Sequence, residues 1–122
     1  MREREEFYRA FVEDGLGLIC THRLDGAIRT VNPAALTLLG YAEEDIVGRN
    51  LRELLEPSIW EKFETYLQDL KREGRAAGHL HVRTKRGEKL VWAFRNKVIT
   101  EPNGSSYVLA HAQDVTDRQF AL

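Results

Sequence analysis

Four histidines, a lone cysteine and one strand asparagine hold most of the chemistry open to this chain of 122 residues. His79 and His81 stand two apart, which in a strand puts both rings on one face and suits a pair of metal ligands. No third ligand lies near them in sequence, so no metal site is assigned. His22 and His111 also fall in apolar, strand-like stretches. Cys20 excludes an internal disulfide and fits a reducing compartment. Glu43-Glu44-Asp45 has the pattern of an acidic first helical turn, where carboxylates meet the positive end of the helix dipole. Arg83, Lys85, Arg86 and Lys89 gather at a turn and read as a solvated hairpin tip. No Ser-His-acid arrangement or phosphate-cradling glycine loop stands out, so catalysis has little support.

The elements that must position these residues belong to one domain, long enough to bury about two-thirds of its unfolded surface. Hydrophobic content of 43% and charged content of 30% are those of an ordinary globular chain. A net charge of −1, with basic and acidic residues interspersed, gives no field to draw nucleic acid or an anionic membrane. No apolar run approaches the ~20 residues of a membrane span, and Met1-Arg2-Glu3-Arg4-Glu5-Glu6 lacks the apolar core of a signal peptide. A cytoplasmic location is therefore expected.

Phe7, Phe11 and Val12 recur at helical spacing over residues 3–13. Residues 16–21 and 27–31 read as strands joined at Asp25-Gly26, a strong hairpin signal because glycine accepts positive φ. Asn32 caps a helix whose first residue is Pro33, and Gly40 and Gly48 suit the positions after two helix ends. Ser58-Ile59-Trp60-Glu61 matches a capping box. It should open the longest helix, to Glu73, with Trp60, Phe63, Leu67 and Leu70 on one face and Gly74 as its stop. Strands over 78–84, 89–100 and 106–115 complete an α+β chain.

A linked set of motifs then acquires meaning: Asp25-Gly26 before Ile28, Asn32-Pro33-Ala34-Ala35, Leu39-Gly40-Tyr41, Glu44-Asp45-Ile46-Val47-Gly48, Gly87, and Asp114-Val115-Thr116-Asp117-Arg118. In this order and spacing they resemble the PAS sensory family over nearly the whole chain. The resemblance implies a PAS fold: a five-stranded antiparallel sheet in order 2-1-5-4-3 with helices packed on one face. It divides the chain into a flanking helix (1–14), a core (15–116) and the start of a connector helix (117–122). It also implies an input domain of a larger receptor, most commonly a sensor histidine kinase. Arg23 departs from the family, where an acidic residue often precedes the hairpin.

Family members often hold haem, flavin or a small metabolite between helices and sheet. Gly48-Arg49-Asn50-Leu51-Arg52-Glu53-Leu54-Leu55 resembles the flavin-adduct motif of the light-sensing LOV branch. Leu51 stands where that branch needs a cysteine, and a leucine forms no covalent adduct. Val82, Trp92 and Ala112 replace polar flavin contacts, and Cys20 lies on another strand. A LOV-type flavin adduct is therefore excluded. Haem-binding members commonly hold iron through a histidine of the long helix, and Pro57–Gly74 has none. Haem is disfavoured unless a strand histidine, His22 above all, reaches the cavity.

Strand alternation puts Leu90, Trp92, Phe94, Asn96 and Val98 on one side of the fourth strand. The resemblance adds Val108, Ala110 and Ala112 inward. Small residues opposite large aromatics leave two alternatives: room for a ligand, or a space that Trp92 and Phe94 fill. Asn96 bears on the choice, since a buried amide needs a partner that a metabolite, the backbone or water would supply. The candidate ligand-contacting residues are Trp92, Phe94, Asn96, Ala110 and Ala112, with His22 and Leu51. An enzyme would need converging ionisable groups there, and His22 is the only one.

On the other sheet face, Ile19, Tyr107, Leu109 and His111 are more apolar than solvent requires. With Phe7 and Phe11 they are the expected interface of a homodimer; the alternative is a monomer whose own helix covers its sheet. Asp114 and Thr116 would relay the signal. The expected function is perception of a small ligand or redox state, passed through the dimer to a downstream effector. The alternative is a ligand-free dimerisation or interaction module. Neither nucleic acid nor membrane is an expected partner of this segment.

Overall fold

The computed structural model describes residues 17–117. Phe7, Phe11, the flanking helix and most of the connector lie outside them. β1 (Leu18–His22) and β2 (Ile28–Val31) form the first hairpin. At its turn the Asp25 carboxylate accepts from the Ala27 amide at 2.9 Å. Gly26 has φ +94°, and a Cβ there would come within 2.7 Å of Asn50 Oδ1 and 3.1 Å of the Phe63 ring. Glycine is needed for conformation and for closeness alike.

Asn32 caps α1 (Pro33–Leu39) by accepting from the Ala35 amide at 3.0 Å. It also accepts from the Ile19 amide at 3.2 Å and donates to the Gly17 carbonyl at 2.8 Å. One side chain thus starts the helix and stitches it to β1. Gly40, with φ +82°, ends α1, and α2 (Glu43–Ile46) follows, burying Ile46 completely.

The capping box expected at Ser58 forms elsewhere. Asn50 and Glu53 make it, on a 3-10 turn over Leu51–Leu54. A second 3-10 turn, Pro57–Ile59, leads into α3 (Trp60–Glu73), which has no side-chain cap. Pro57 explains the difference: its carbonyl accepts the Trp60 amide, so a tightened turn replaces the serine cap. Trp60 is also displaced from its expected face. It is 40% exposed, and its indole N–H donates to the Arg52 carbonyl at 3.1 Å. The buried stripe of α3 is Phe63, Tyr66, Leu67 and Leu70, the i, i+3, i+4, i+7 pattern. Burying each such Phe or Leu contributes about 1.5–3 kcal/mol, so this face anchors the helix.

β3 (Arg75–Arg83) starts three residues earlier than expected, because left-handed Gly74 turns the chain straight into the sheet. β4 (Lys89–Thr100) and β5 (Ser106–Asp114) complete an antiparallel sheet in the order β2-β1-β5-β4-β3. Its core, including Ile28, Leu39, Leu54, Phe63, Val82, Phe94 and Val108, joins the helices to one sheet face. On the opposite face charge is less evenly spread than composition implies. Arg75 pairs across strands with Lys97, and Arg83 with Lys89. Like charges so placed repel, and Glu56 offsets one pair by bonding Arg83 at 2.5 Å with Lys89 at 3.8 Å. Among the described residues no helix is long and apolar enough to cross a membrane.

Candidate functional site

Between helices and sheet lies a cavity of about 70 Å³, walled by Leu18, Cys20 and His22 of β1, Leu51 of the first 3-10 turn, Phe63 and Tyr66 of α3, and inward residues of β3 to β5. Trp92, Phe94, Asn96, Ala110 and Ala112 all line it. The β1–β5 register explains the wall, since Leu18 lies opposite Ala112, Cys20 opposite Ala110 and His22 opposite Val108. Trp92 and Phe94 therefore leave room. At roughly 10–15 Å³ for each water-sized occupant, the space suits a molecule of a few non-hydrogen atoms.

A chain of hydrogen bonds crosses one end of this wall. His22 is fully buried, with Nδ1 2.7 Å from the Arg23 carbonyl and Nε2 2.7 Å from the Tyr66 hydroxyl. The Asn96 amide donates to the same hydroxyl at 2.7 Å, and Asn96 Oδ1 accepts from the His111 backbone amide at 3.0 Å. A carbonyl only accepts, so Nδ1 of His22 carries the proton and Nε2 accepts from Tyr66. Tyr66 in turn accepts from Asn96. The buried amide, for which the sequence allows a metabolite, the backbone or water as partner, thus bonds a side chain at one end and the backbone at the other.

Burial lowers the pKa of His22, against the opposing pull of the Arg23 carbonyl and Asp25. Burial also pushes the Tyr66 phenol up, well beyond its ordinary value, despite the Asn96 hydrogen bond. The Cys20 thiol, half-buried in the wall, is pushed up to about 12 by burial and stays protonated. The chain of hydrogen bonds is neutral throughout, and among the described residues no charged side chain lines the cavity.

Tyr66 is the member that sequence reasoning missed. Its signal was its place between Phe63 and Leu67 on the helical stripe, since a buried phenol needs a partner. Phe63 and Phe94 pack on its ring at centroid distances of 5.7 and 5.3 Å.

His22 does reach the cavity, yet both of its ring nitrogens are engaged, so it offers none to haem iron. His79 and His81 are exposed, and no cluster of three metal-capable side chains occurs among the described residues. The space is smaller than the roughly 300–1,000 Å³ of sites for drug-sized ligands. Leu51, at the position of the adduct cysteine, sits in its wall and itself carries no thiol.

Ile19, Tyr107, Leu109 and His111 do not line up equally as an interface. Ile19 lies opposite His111 in the register but is only 1% exposed, whereas the other three are half-buried. Asp114 accepts from both the amide and the hydroxyl of Thr116. The Thr116 hydroxyl accepts from the Val91 amide at 2.9 Å, and the Val115 amide donates to the Val91 carbonyl at 2.9 Å. The two relay candidates thus tie the chain leaving β5 to the start of β4.

The strand order, the helices over one face and the cavity between them define an α+β module with an internal cavity. The family described as the PAS fold matches residues 15–119, and the chain belongs to it. PAS domains are generally non-catalytic sensory modules. The PAS domain of a protein from Colwellia psychrerythraea has a TM-score of 0.83 at 22% identity, over 95% of this chain and 99% of that one. A domain of a sensory box sensor histidine kinase/response regulator from Geobacter sulfurreducens scores 0.76 at 21% identity, covering 91% of this chain and 94% of that one. The Rhodobacter sphaeroides LOV protein scores 0.75 at 18% identity, over 94% of this chain and 68% of that one. Likeness at such identities concerns the fold alone. Among curated proteins, none matches this chain.

The neutral His22 has a consequence for stability. Its folded pKa lies below the unfolded value of about 6.5, so the unfolded chain takes up the proton first as pH falls. This contribution is complete above about pH 6.5 and is lost as pH falls through the folded value. The urea midpoint should therefore drop between about pH 7.5 and pH 5.5, and drop less in His22→Gln. Equal drops in the two proteins would contradict the assignment.

Proposed function

We propose that this PAS domain senses a small molecule held in the cavity beside His22, Tyr66 and Asn96. The observation that supports this is the room left behind Trp92 and Phe94 although every polar group of the hydrogen-bond chain is satisfied. A space kept open at the junction of α3 with three strands is placed to bias their packing. A ligand shifts such an equilibrium only by binding two packings unequally. The segment from Asp114 to Thr116, tied to β4, would carry the difference out of the domain. The neighbouring sensory box kinase domain favours a histidine kinase as effector, and the lone thiol Cys20 fits a cytoplasmic setting.

Redox sensing has weaker support, since the protonated Cys20 thiol is a poor nucleophile and lacks a partner cysteine. The outer sheet face, with Tyr107, Leu109 and His111, together with Phe7 and Phe11, would join two copies. A sedimentation coefficient that falls on dilution supports this dimer. One that stays at the monomer value removes it.

The sensing reading is tested by thermal shift against a library of small metabolites, using the natural chain and Ala110→Leu, which fills the cavity. A compound that raises Tm in the natural chain and not in Ala110→Leu is the expected result. If every compound leaves Tm unchanged, or acts equally on both proteins, the ligand-free interaction module takes its place.

A further inference from the structure

Resting on the sensing reading, we infer that the cavity selects a compact, uncharged molecule with an apolar skeleton and a single hydrogen-bond acceptor, such as a small ketone, aldehyde or ether. The acceptor is received by the indole N–H of Trp92.

Two properties of the wall lead to this class. The first is charge. Among the described residues no Lys, Arg, Asp or Glu lines the cavity, and the one imidazole there is neutral with both nitrogens engaged. A carboxylate or ammonium entering it would lose its hydration with no counter-charge in return. The small acids are thereby excluded, as are sugars, whose many hydroxyls would find too few partners.

The second is the state of the polar groups. His22, Tyr66 and Asn96 satisfy one another, and the Cys20 thiol is only a weak donor. Trp92 differs. Its indole forms part of the cavity wall, yet its Nε1 is shut off from solvent and has no acceptor. A buried donor without a partner is costly, and an acceptor brought by a ligand would relieve it. The other indole provides the contrast, because the N–H of Trp60 already donates to the Arg52 carbonyl. The cavity is therefore bordered by one donor without an acceptor, which an incoming ligand meets by displacing the indole slightly, in a wall that is otherwise carbon or already satisfied.

Three probes of nearly the same shape separate the outcomes: 2-butanone, 2-methyl-1-butene (the carbonyl oxygen replaced by a methylene group) and propionate. Each is titrated into the 122-residue chain at neutral pH, while NMR follows the cavity methyl groups and the two indole N–H signals. Butanone should perturb Leu51, Leu80 and Ala110 methyls and move the Trp92 indole proton downfield, leaving that of Trp60 in place. It should bind about tenfold more tightly than the alkene, and propionate should not bind. Trp92→Phe, which keeps a ring and deletes the donor, should erase the tenfold preference. Alkene binding as tight as butanone, or tighter binding of propionate, would overturn the ligand class while leaving the sensing reading intact. If none of the three perturbs the cavity methyls, the ligand class is likewise overturned, and the metabolite library decides the sensing reading.

Discussion

The hydrogen-bond chain from the Arg23 carbonyl through His22, Tyr66 and Asn96 to the His111 amide is the interaction on which the rest of the domain depends. It joins β1, α3, β4 and β5 through groups that are almost wholly removed from water. Each bond contributes only about 0.5–1.5 kcal/mol net, but an unmatched buried group costs about 1–3 kcal/mol. Once the phenol is in place, the two strands and the helix have little freedom to slide. Specificity of packing, more than gross stability, is what the chain supplies.

The same chain explains how the cavity can be apolar although His, Tyr, Asn and Cys all contribute to its wall. The first three spend their hydrogen bonds on one another, and desolvation keeps the imidazole neutral and the phenol and thiol protonated. Small residues on β5 face larger ones of β4 across the register, Ala110 opposite Asn96 and Ala112 opposite Phe94. The space survives because neither side fully crosses it. A ligand there would touch the helix and the central strands together, as a sensory domain requires.

Local chemistry made much of this legible in the sequence. Asp25-Gly26, Asn32-Pro33, Gly40 and Gly74 mark turns and caps through their own backbone preferences, two-residue alternation put Trp92, Phe94 and Asn96 on the inner face, and the family resemblance added Ala110 and Ala112. Long-range partners were not legible. Tyr66 meets a histidine 44 residues away and an asparagine 30 away, and nothing in the spacing of those three residues announces it. The displaced cap at Ser58 and the exposed Trp60 have a nearer cause, since Pro57 imposes a 3-10 turn that the motif S-x-x-E alone does not reveal. The dual role of Asn32, cap and strand stitch, was likewise only half visible.

The central claim is that His22 is a neutral imidazole that donates from Nδ1 and accepts at Nε2 from Tyr66. A long-range proton–nitrogen spectrum of the histidine rings at neutral pH reads this directly. His22 should show a protonated Nδ1 and a bare, hydrogen-bond-accepting Nε2. An Nε2–H tautomer, or an imidazolium with both nitrogens protonated, would contradict it.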